Sequence, residues 1–356
     1  MNKIPGKMKA AVLFDYGDLR ITEVDVPRVA YQEVLIKVAS CAICGTDPKI
    51  VASGWPNHPP LGEFIPGHEF SGTIVKKGEG VDRLNVGDRV AVEPHKGCGI
   101  CENCIRGLYT TCLNYGNNEM GHRHYGFTTN GGYAEYAVNH INSVHVLPDT
   151  VSFDAATLIT TAGSALYGII RIGGIFAGET VVVSGPGPIG LMAVQLARIM
   201  GAGQIILTGT RKSRLDLGLE LGADIALNIH DVDINDHIFE LSRGKGADLV
   251  LECSGSAAAA TDSIEYCKKN GRIAFIGIYK EPVTLNLNKV VQWNISTIGS
   301  KAEGDWCLDR LIPYMDKKML NGESLITHRF PLEKINEAME VYSKRIDGAI
   351  KVVIHT

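Results

Sequence analysis

Apolar and polar positions change rhythm twice along this chain. Over the first 150 residues, short apolar and β-branched runs recur at Lys9–Phe14, Leu19–Val24, Val34–Ser40, Phe70–Lys76 and Arg89–Val92, separated by Gly, Pro and Asp. Such runs at turn-like spacing predict strands of a compact, barrel-like β domain. The rhythm disappears from His95 to Thr129, where Gly, Asn, His and Cys dominate. A lobe of that length without a core pattern needs something other than apolar burial to order it. From about Phe153 a third rhythm begins. Thr180–Val183 reads as a buried strand and Ile189–Met200 as a helix apolar nearly all round. Strands at Gln204–Thr208, Ala226–Asn228, Leu249–Glu252 and Arg272–Ile276 alternate with helices at Ser213–Leu221 and Ala257–Cys267. That alternation predicts a parallel sheet with helices on both faces. After Lys301, two helical patterns precede the β-branched strand Ala349–His355. It is too short to stand alone and is expected to return to the N-terminal domain.

The expected division is therefore residues 1–153 with 301–356 as one domain, carrying the lobe at about 95–129, and residues 154–300 as the other. Two domains is also what 356 residues suggest.

Composition narrows the class. At 45% hydrophobic and 21% charged, the chain has the make-up of a globular protein rather than a disordered one. A net charge of -4 argues against nucleic acid as a partner. The charge-free stretch 155–170 is short for a membrane span, and 180–197 is interrupted by Gly185, Pro186, Gly187, Pro188 and Gly190, so both read as buried core. The N-terminal stretch has basic residues but no sustained apolar segment of the secretory kind. These features predict a cytoplasmic protein with a small-molecule partner and neither membrane nor nucleic acid.

The glycine-rich turn supplies the first chemistry. Gly185-x-Gly187-x-x-Gly190 follows a strand and opens a helix. That context makes it a dinucleotide-binding loop, with Gly185, Gly187, Pro188, Ile189 and Gly190 at the pyrophosphate. The second strand then ends at Thr208-Gly209-Thr210-Arg211-Lys212. An NAD site carries an acid here for the ribose 2′-hydroxyl. Gly209 replaces it, and Thr210, Arg211 and Lys212 could pair a 2′-phosphate, so NADP(H) is favoured over NAD(H).

Nine cysteines supply the second. Cys98-x2-Cys101-x2-Cys104-x7-Cys112 offers four thiolates in one loop, suited to a closed, tetrahedral structural zinc. An iron–sulfur cluster is the alternative, but no Cys-Pro follows and the last spacing is long. A dispersed set is weaker: Cys44-Gly45-Thr46-Asp47 ends a strand, and Gly67-His68-Glu69 follows later. A Cys, a His and a carboxylate would leave an open metal position for water or substrate. Cys41, Cys253, Cys267 and Cys307 read as buried thiols.

In that order these motifs resemble the zinc-dependent medium-chain dehydrogenases/reductases, most closely the sorbitol (polyol) and threonine dehydrogenase branch. Thr327-His-Arg-Phe-Pro-Leu-Glu-Lys334 resembles that branch too. The resemblance implies an α/β chain with a GroES-like β-rich catalytic domain and a Rossmann doubly wound parallel-sheet domain. It implies two zinc ions per chain and a homodimer or homotetramer built largely through the Rossmann domains. Cys44 and His68 match the first catalytic zinc ligands, Glu69 a carboxylate that can bind the metal, Thr46 the hydroxyl that relays the substrate proton, and Asp47 a residue orienting a ligand. The implied reaction is reversible oxidation of a secondary alcohol to a ketone, with zinc as Lewis acid and hydride transfer to NAD(P). Two departures stand out. Thr160 or Thr161 occupies the place of a further ligand, and Lys49 that of a relay histidine. Trp55, His58 and Glu119 are candidate pocket residues. Lys301-Ala302-Glu303 lacks the substrate-side Arg of polyol enzymes, which leaves a polyol, a cyclitol or a 2-amino-3-hydroxy acid open. The rival readings are a zinc-free quinone or enone reductase and a non-catalytic NADP-binding sensor.

Overall fold

The computed structural model describes residues 4–356, so the first three residues of the N-terminal stretch lie outside it. The described chain separates into two units. One comprises residues up to Thr160 with Gly304–Asp316 and Gly322–Thr356, the other Thr161–Glu303 with Lys317–Asn321. The division thus falls within the 159–171 helix region rather than at 153/154, and the short stretch 317–321 goes with the second unit.

In the first unit, Lys7–Asp15 and Asp18–Asp25 form a hairpin. A short pair, His95–Lys96 with Arg123–His124, lies in the lobe, and a seven-stranded sheet holds the rest, in the order Ile326–Pro331, Lys351–His355, Glu33–Ala42, Glu69–Lys77, Arg89–Val92 and Val144–Val146, with Tyr136–His140 also on Glu33–Ala42. The C-terminal strand runs antiparallel to Glu33–Ala42, placing Val353 opposite Ala42 and Ile354 opposite Cys41. Two distant strand ends, Ala42 and Glu69, are themselves register partners. That pairing brings the segments after 42 and before 69 to one end of the sheet. Val34, Ile36, Phe70, Ile74, Val352 and Ile354 are buried in the core beneath.

The second unit is a six-stranded, all-parallel sheet ordered Ile225–Asn228, Gln204–Gly209, Thr180–Ser184, Ala247–Glu252, Cys267–Phe275, Ser296–Gly299. In chain order this is 3-2-1-4-5-6, the doubly wound arrangement whose ligands lie at the carboxyl ends of the central strands. Val182, Ile206, Val250 and Ile273 are buried there, as the continuous apolar runs require. The charge-free stretch 155–170 forms parts of the helices Phe153–Thr157 and Ile159–Arg171. Among the described residues, no helix is long and apolar enough to cross a membrane.

Candidate metal centres and cofactor loop

The lobe gathers its four thiols as its spacing suggests. The Cys98, Cys101, Cys104 and Cys112 sulfurs all lie within 4.8 Å of one another. Cys98 and Cys104 are 3.8 Å apart, and Cys101 and Cys112 are 3.9 Å apart. Thiolates about 2.3 Å from a tetrahedral zinc sit roughly 3.8 Å from each other, so the donor set fits that ion. Backbone N–H groups turn towards the sulfurs: Cys101 N–H donates to Cys98 Sγ and Cys104 N–H to Cys101 Sγ, each at 3.4 Å, and Asn114 Nδ2 donates to Cys98 Sγ at 3.3 Å. Although burial opposes it, hydrogen bonding, first from the Ile100 backbone N–H and then from Asn114 and the Cys101 N–H, brings the Cys98 thiol down to about 6, whereas burial holds Cys104 up at about 12. Gly97 leaves room for the cluster, because a Cβ there would meet Cys104 Sγ at 2.5 Å. Meanwhile Ile100, Ile105 and Leu113 remain exposed, so the lobe is not ordered by an apolar core of its own.

The second set converges at the end of the seven-stranded sheet. Donor atoms of Cys44, His68 and Glu69 also lie within 4.8 Å of one another. Thr46 and Asp47 open the helix Asp47–Ser53 just after Cys44. Asp47 is fully buried and works as a hub. Its Oδ2 accepts from Cys44 N–H at 2.7 Å and from Tyr133 O–H at 2.9 Å, and its Oδ1 stands 3.3 Å from His68 Nδ1. Gly67 has φ +94°, and a Cβ there would strike the Tyr133 ring at 2.8 Å, so glycine is needed for Tyr133 to reach Asp47. Burial alone would lower the His68 pKa, but Asp47 and Cys44 raise it well above the usual imidazole value. The same negative field suits a divalent cation. Thr46 Oγ1 is buried and makes no hydrogen bond among the described residues.

Sequence reasoning missed three members of this centre, the first being Tyr133, which holds Asp47. Lys351, on the C-terminal strand, is buried and forms an ion pair with Glu69 Oε2. Its signal was a lone cation inside an apolar, β-branched run. Tyr342 is the third; it is half-buried, and its hydroxyl lies 3.6 Å from where a Cβ on Gly45 would sit. Thr160 and Thr161 are buried at the start of the 159–171 helix. Lys49 is exposed.

The three pocket candidates separate. The Trp55 ring meets Phe127 edge-on at 4.9 Å, and Phe127 lies 4.6 Å from the His68 ring, so Trp55 belongs to the aromatic wall beside that ligand. Trp55 Nε1 donates to Tyr115 O–H at 3.0 Å. His58 instead stacks on Phe64 and keeps its Nδ1 2.5 Å from Pro59 O, a packing role. Glu119 is exposed on the lobe. Cys41, Cys267 and Cys307 are buried, but Cys253 is only partly so.

In the second unit, the strand Thr180–Ser184 leads through Gly185 into the helix Pro188–Ile199, with Gly187 at its N-cap and Pro188 in the first turn. Gly185 has φ +98° and lies against Ser254. A Cβ on Gly190 would meet Gly185 O at 1.9 Å, whereas one on Gly187 would meet nothing within 4 Å. Tight packing below and open space above the helix N-terminus are what a pyrophosphate needs. Arg211 caps the helix Lys212–Glu220 and, like Thr210, is exposed; Lys212 is engaged by Asp216 at 2.7 Å.

Comparison with known proteins follows the same lines. Residues 30–149 match the family described as alcohol dehydrogenase GroES-like domain, and residues 188–310 that described as zinc-binding dehydrogenase. The chain is 35% identical to sorbitol dehydrogenase of Halalkalibacterium halodurans, over 98% of this chain and 99% of that one. It is 32% identical to L-threonine 3-dehydrogenase of Pyrococcus horikoshii, over 92% of each. A solved zinc-binding dehydrogenase from Sinorhizobium meliloti, bound to NADP, superposes with a TM-score of 0.90 at 27% identity, covering 99% of this chain and 100% of that one.

Proposed function

The chain belongs to the zinc-dependent medium-chain dehydrogenases/reductases, oxidoreductases of CH–OH groups, and from that premise we propose reversible oxidation of a secondary alcohol of polyol type, with two zinc ions per chain and NADP(H) as the preferred cofactor. One observation carries the reading: Cys44, His68 and Glu69 converge within 4.8 Å, beside the buried Thr46 hydroxyl. A zinc held by these three residues would supply a Lewis acid for the substrate oxygen, and a dinucleotide held at its pyrophosphate by the 185–190 loop would supply the hydride acceptor.

The chain's own residues do the rest. A hydroxyl both donates and accepts, so Thr46 Oγ1 can take the substrate's proton as the alcohol ionises while releasing its own to the next acceptor. Asp47, fixed by Tyr133 and by the Cys44 amide, orients His68. Phe127 and Trp55 keep water from one side of that ligand. Lys49 is exposed where the resemblance places a histidine, so a proton passed on by Thr46 would leave by way of the cofactor ribose and water or through Lys49. Cys98, Cys101, Cys104 and Cys112 hold the second, structural zinc. Support for NADP(H) is Gly209 in place of an acid, with exposed Arg211 beside it; Lys212, already paired, contributes less.

The strand Ser296–Gly299 lies at a sheet edge, and Leu287 and Val291 before it are exposed, which favours a homodimer or homotetramer formed through this unit. Nine unpaired cysteines fit a reducing cytoplasm.

The test is metal analysis with a panel of polyols, cyclitols and L-threonine, run with both cofactors. Two zincs per chain and turnover of a secondary alcohol are expected. One zinc and no turnover would replace this reading with that of an NADP-binding sensor. Thr46→Ala should lower kcat and leave zinc content unchanged.

A further inference from the structure

Position 209 closes the second strand of the parallel sheet, where an acid would select NAD(H). Its backbone does not call for glycine, since its φ lies outside the positive range that disfavours side chains. The reason for glycine lies across the sheet. A Cβ on residue 209 would stand 2.3 Å from Pro186 Cδ and 2.5 Å from Pro186 Cγ, with Leu215 Cδ2 at 3.5 Å. Real carbon atoms do not approach so closely, and a proline ring cannot rotate away because it is closed on its own backbone.

Neither backbone is free to yield. Gly209 is in register with Asn228 in the parallel sheet, and its carbonyl accepts from Ile229 N–H at 2.9 Å. On the other side, Gly185 N–H donates to Thr208 O at 2.9 Å. Gly185 also packs against Ser254, and its carbonyl lies against Gly190. Pro186 is thereby held over the Gly209 Cα through Gly185, which is bonded to the second strand and packed between Ser254 and Gly190.

We infer that Pro186 is a specificity-determining residue for the cofactor: it fills the space over Gly209 and denies that position the carboxylate that would favour NAD(H). The inference rests on the dinucleotide reading of the loop and on the NADP(H) preference proposed above. It makes the two positions interdependent. An acid introduced at 209 disturbs the pyrophosphate loop while Pro186 stays, and acts on the ribose only once Pro186 is gone.

The experiment measures NADPH and NADH affinities by fluorescence titration, and Tm without cofactor, in the full chain. The variants are Gly209→Ala, Gly209→Asp and Pro186→Ala, singly and as the two doubles. Gly209→Ala places only the clashing Cβ, so it reports even if Gly209→Asp fails to fold. With Pro186 present it should lower Tm and weaken NADPH binding by about tenfold, and Pro186→Ala should restore both. The Pro186→Ala/Gly209→Asp double should bind NADH at least about tenfold more tightly than Gly209→Asp alone and prefer it over NADPH. Wild-type Tm and affinity in Gly209→Ala, or a full switch to NADH by Gly209→Asp alone, would overturn the role of Pro186. Failure of the underlying reading shows in the wild type instead: binding of neither cofactor removes the dinucleotide site, and tighter binding of NADH removes both the preference and its determinant.

Discussion

Lys351 governs what Glu69 can do. Both are buried, and the pair has no solvent to replace either partner. Burial opposes a charge on Lys351, but Glu69 and Cys44 together raise its pKa. A carboxylate shared with a cation is a weaker metal donor than a free one, which suits a site that must admit a substrate oxygen. Removing one partner of a buried pair leaves an uncompensated charge, a loss on the order of 3–5 kcal/mol. Lys351→Met should therefore destabilise the metal-stripped protein by about that amount. Added zinc should recover most of it by taking over Glu69. Denaturant unfolding with chelator and with zinc checks this; equal losses in both would mean that Glu69 does not reach the metal. The four lobe cysteines were legible in the sequence because their chemistry belongs to residue type and spacing, and Cys44 and His68 through the order of motifs that carries the family resemblance. Lys351, Tyr133 and the Pro186–Gly209 contact were not, since each acts through a neighbour far away in the chain.

Among the elements, strands carried by an apolar run were read and the shorter ones were not. Val34–Ser40 and Phe70–Lys76 sit inside Glu33–Ala42 and Glu69–Lys77, each marked by an apolar, β-branched run. Tyr136–His140, Ser296–Gly299 and Ile326–Pro331 went unread: each is short, and an edge strand such as Ser296–Gly299 needs no apolar run. The helix Ile234–Leu241 also escaped, its short amphipathic face lying in a polar stretch. One contact joins three elements of the first unit. Buried His145, on Val144–Val146, places Nδ1 2.7 Å from Asp309 on the helix Cys307–Asp316 and Nε2 3.2 Å from Glu93, just past Arg89–Val92. Burial lowers its pKa, but the two carboxylates outweigh that and raise it from 6.5 to about 9. A raised pKa stabilises the fold fully below the unfolded value and ceases to do so as pH rises through the folded value. Stability should therefore fall between about pH 6.5 and 9, by at most on the order of 3 kcal/mol. Urea midpoints across that range test it, and His145→Gln should flatten the fall.

For the whole molecule, the question is what orders the lobe. The parallel sheet is supported by a continuous apolar core, but the lobe exposes Ile100, Ile105 and Leu113 and gathers four sulfurs instead. Metal binding to such a site is folding free energy. A strong chelator should therefore expose residues 95–129 to hydrogen exchange and protease while the strands Thr180–Ser184 and Ala247–Glu252 keep their protection. A lobe still protected after loss of all zinc would mean that its hydrogen bonds suffice.

The sequence by itself determined the chemical vocabulary and the sheet types. Donor atoms are properties of side chains, spacing limits which of them can share an ion, and hydrophobic period distinguishes strand from helix. Only the tertiary structure decided which groups restrain those donors. Lys351 meets Glu69 because the C-terminal strand pairs with Glu33–Ala42, and Pro186 meets Gly209 because two parallel strands end side by side. Both contacts join residues that local pattern treats as unrelated. They arise from sheet register, which long-range burial fixes and no short window of sequence contains.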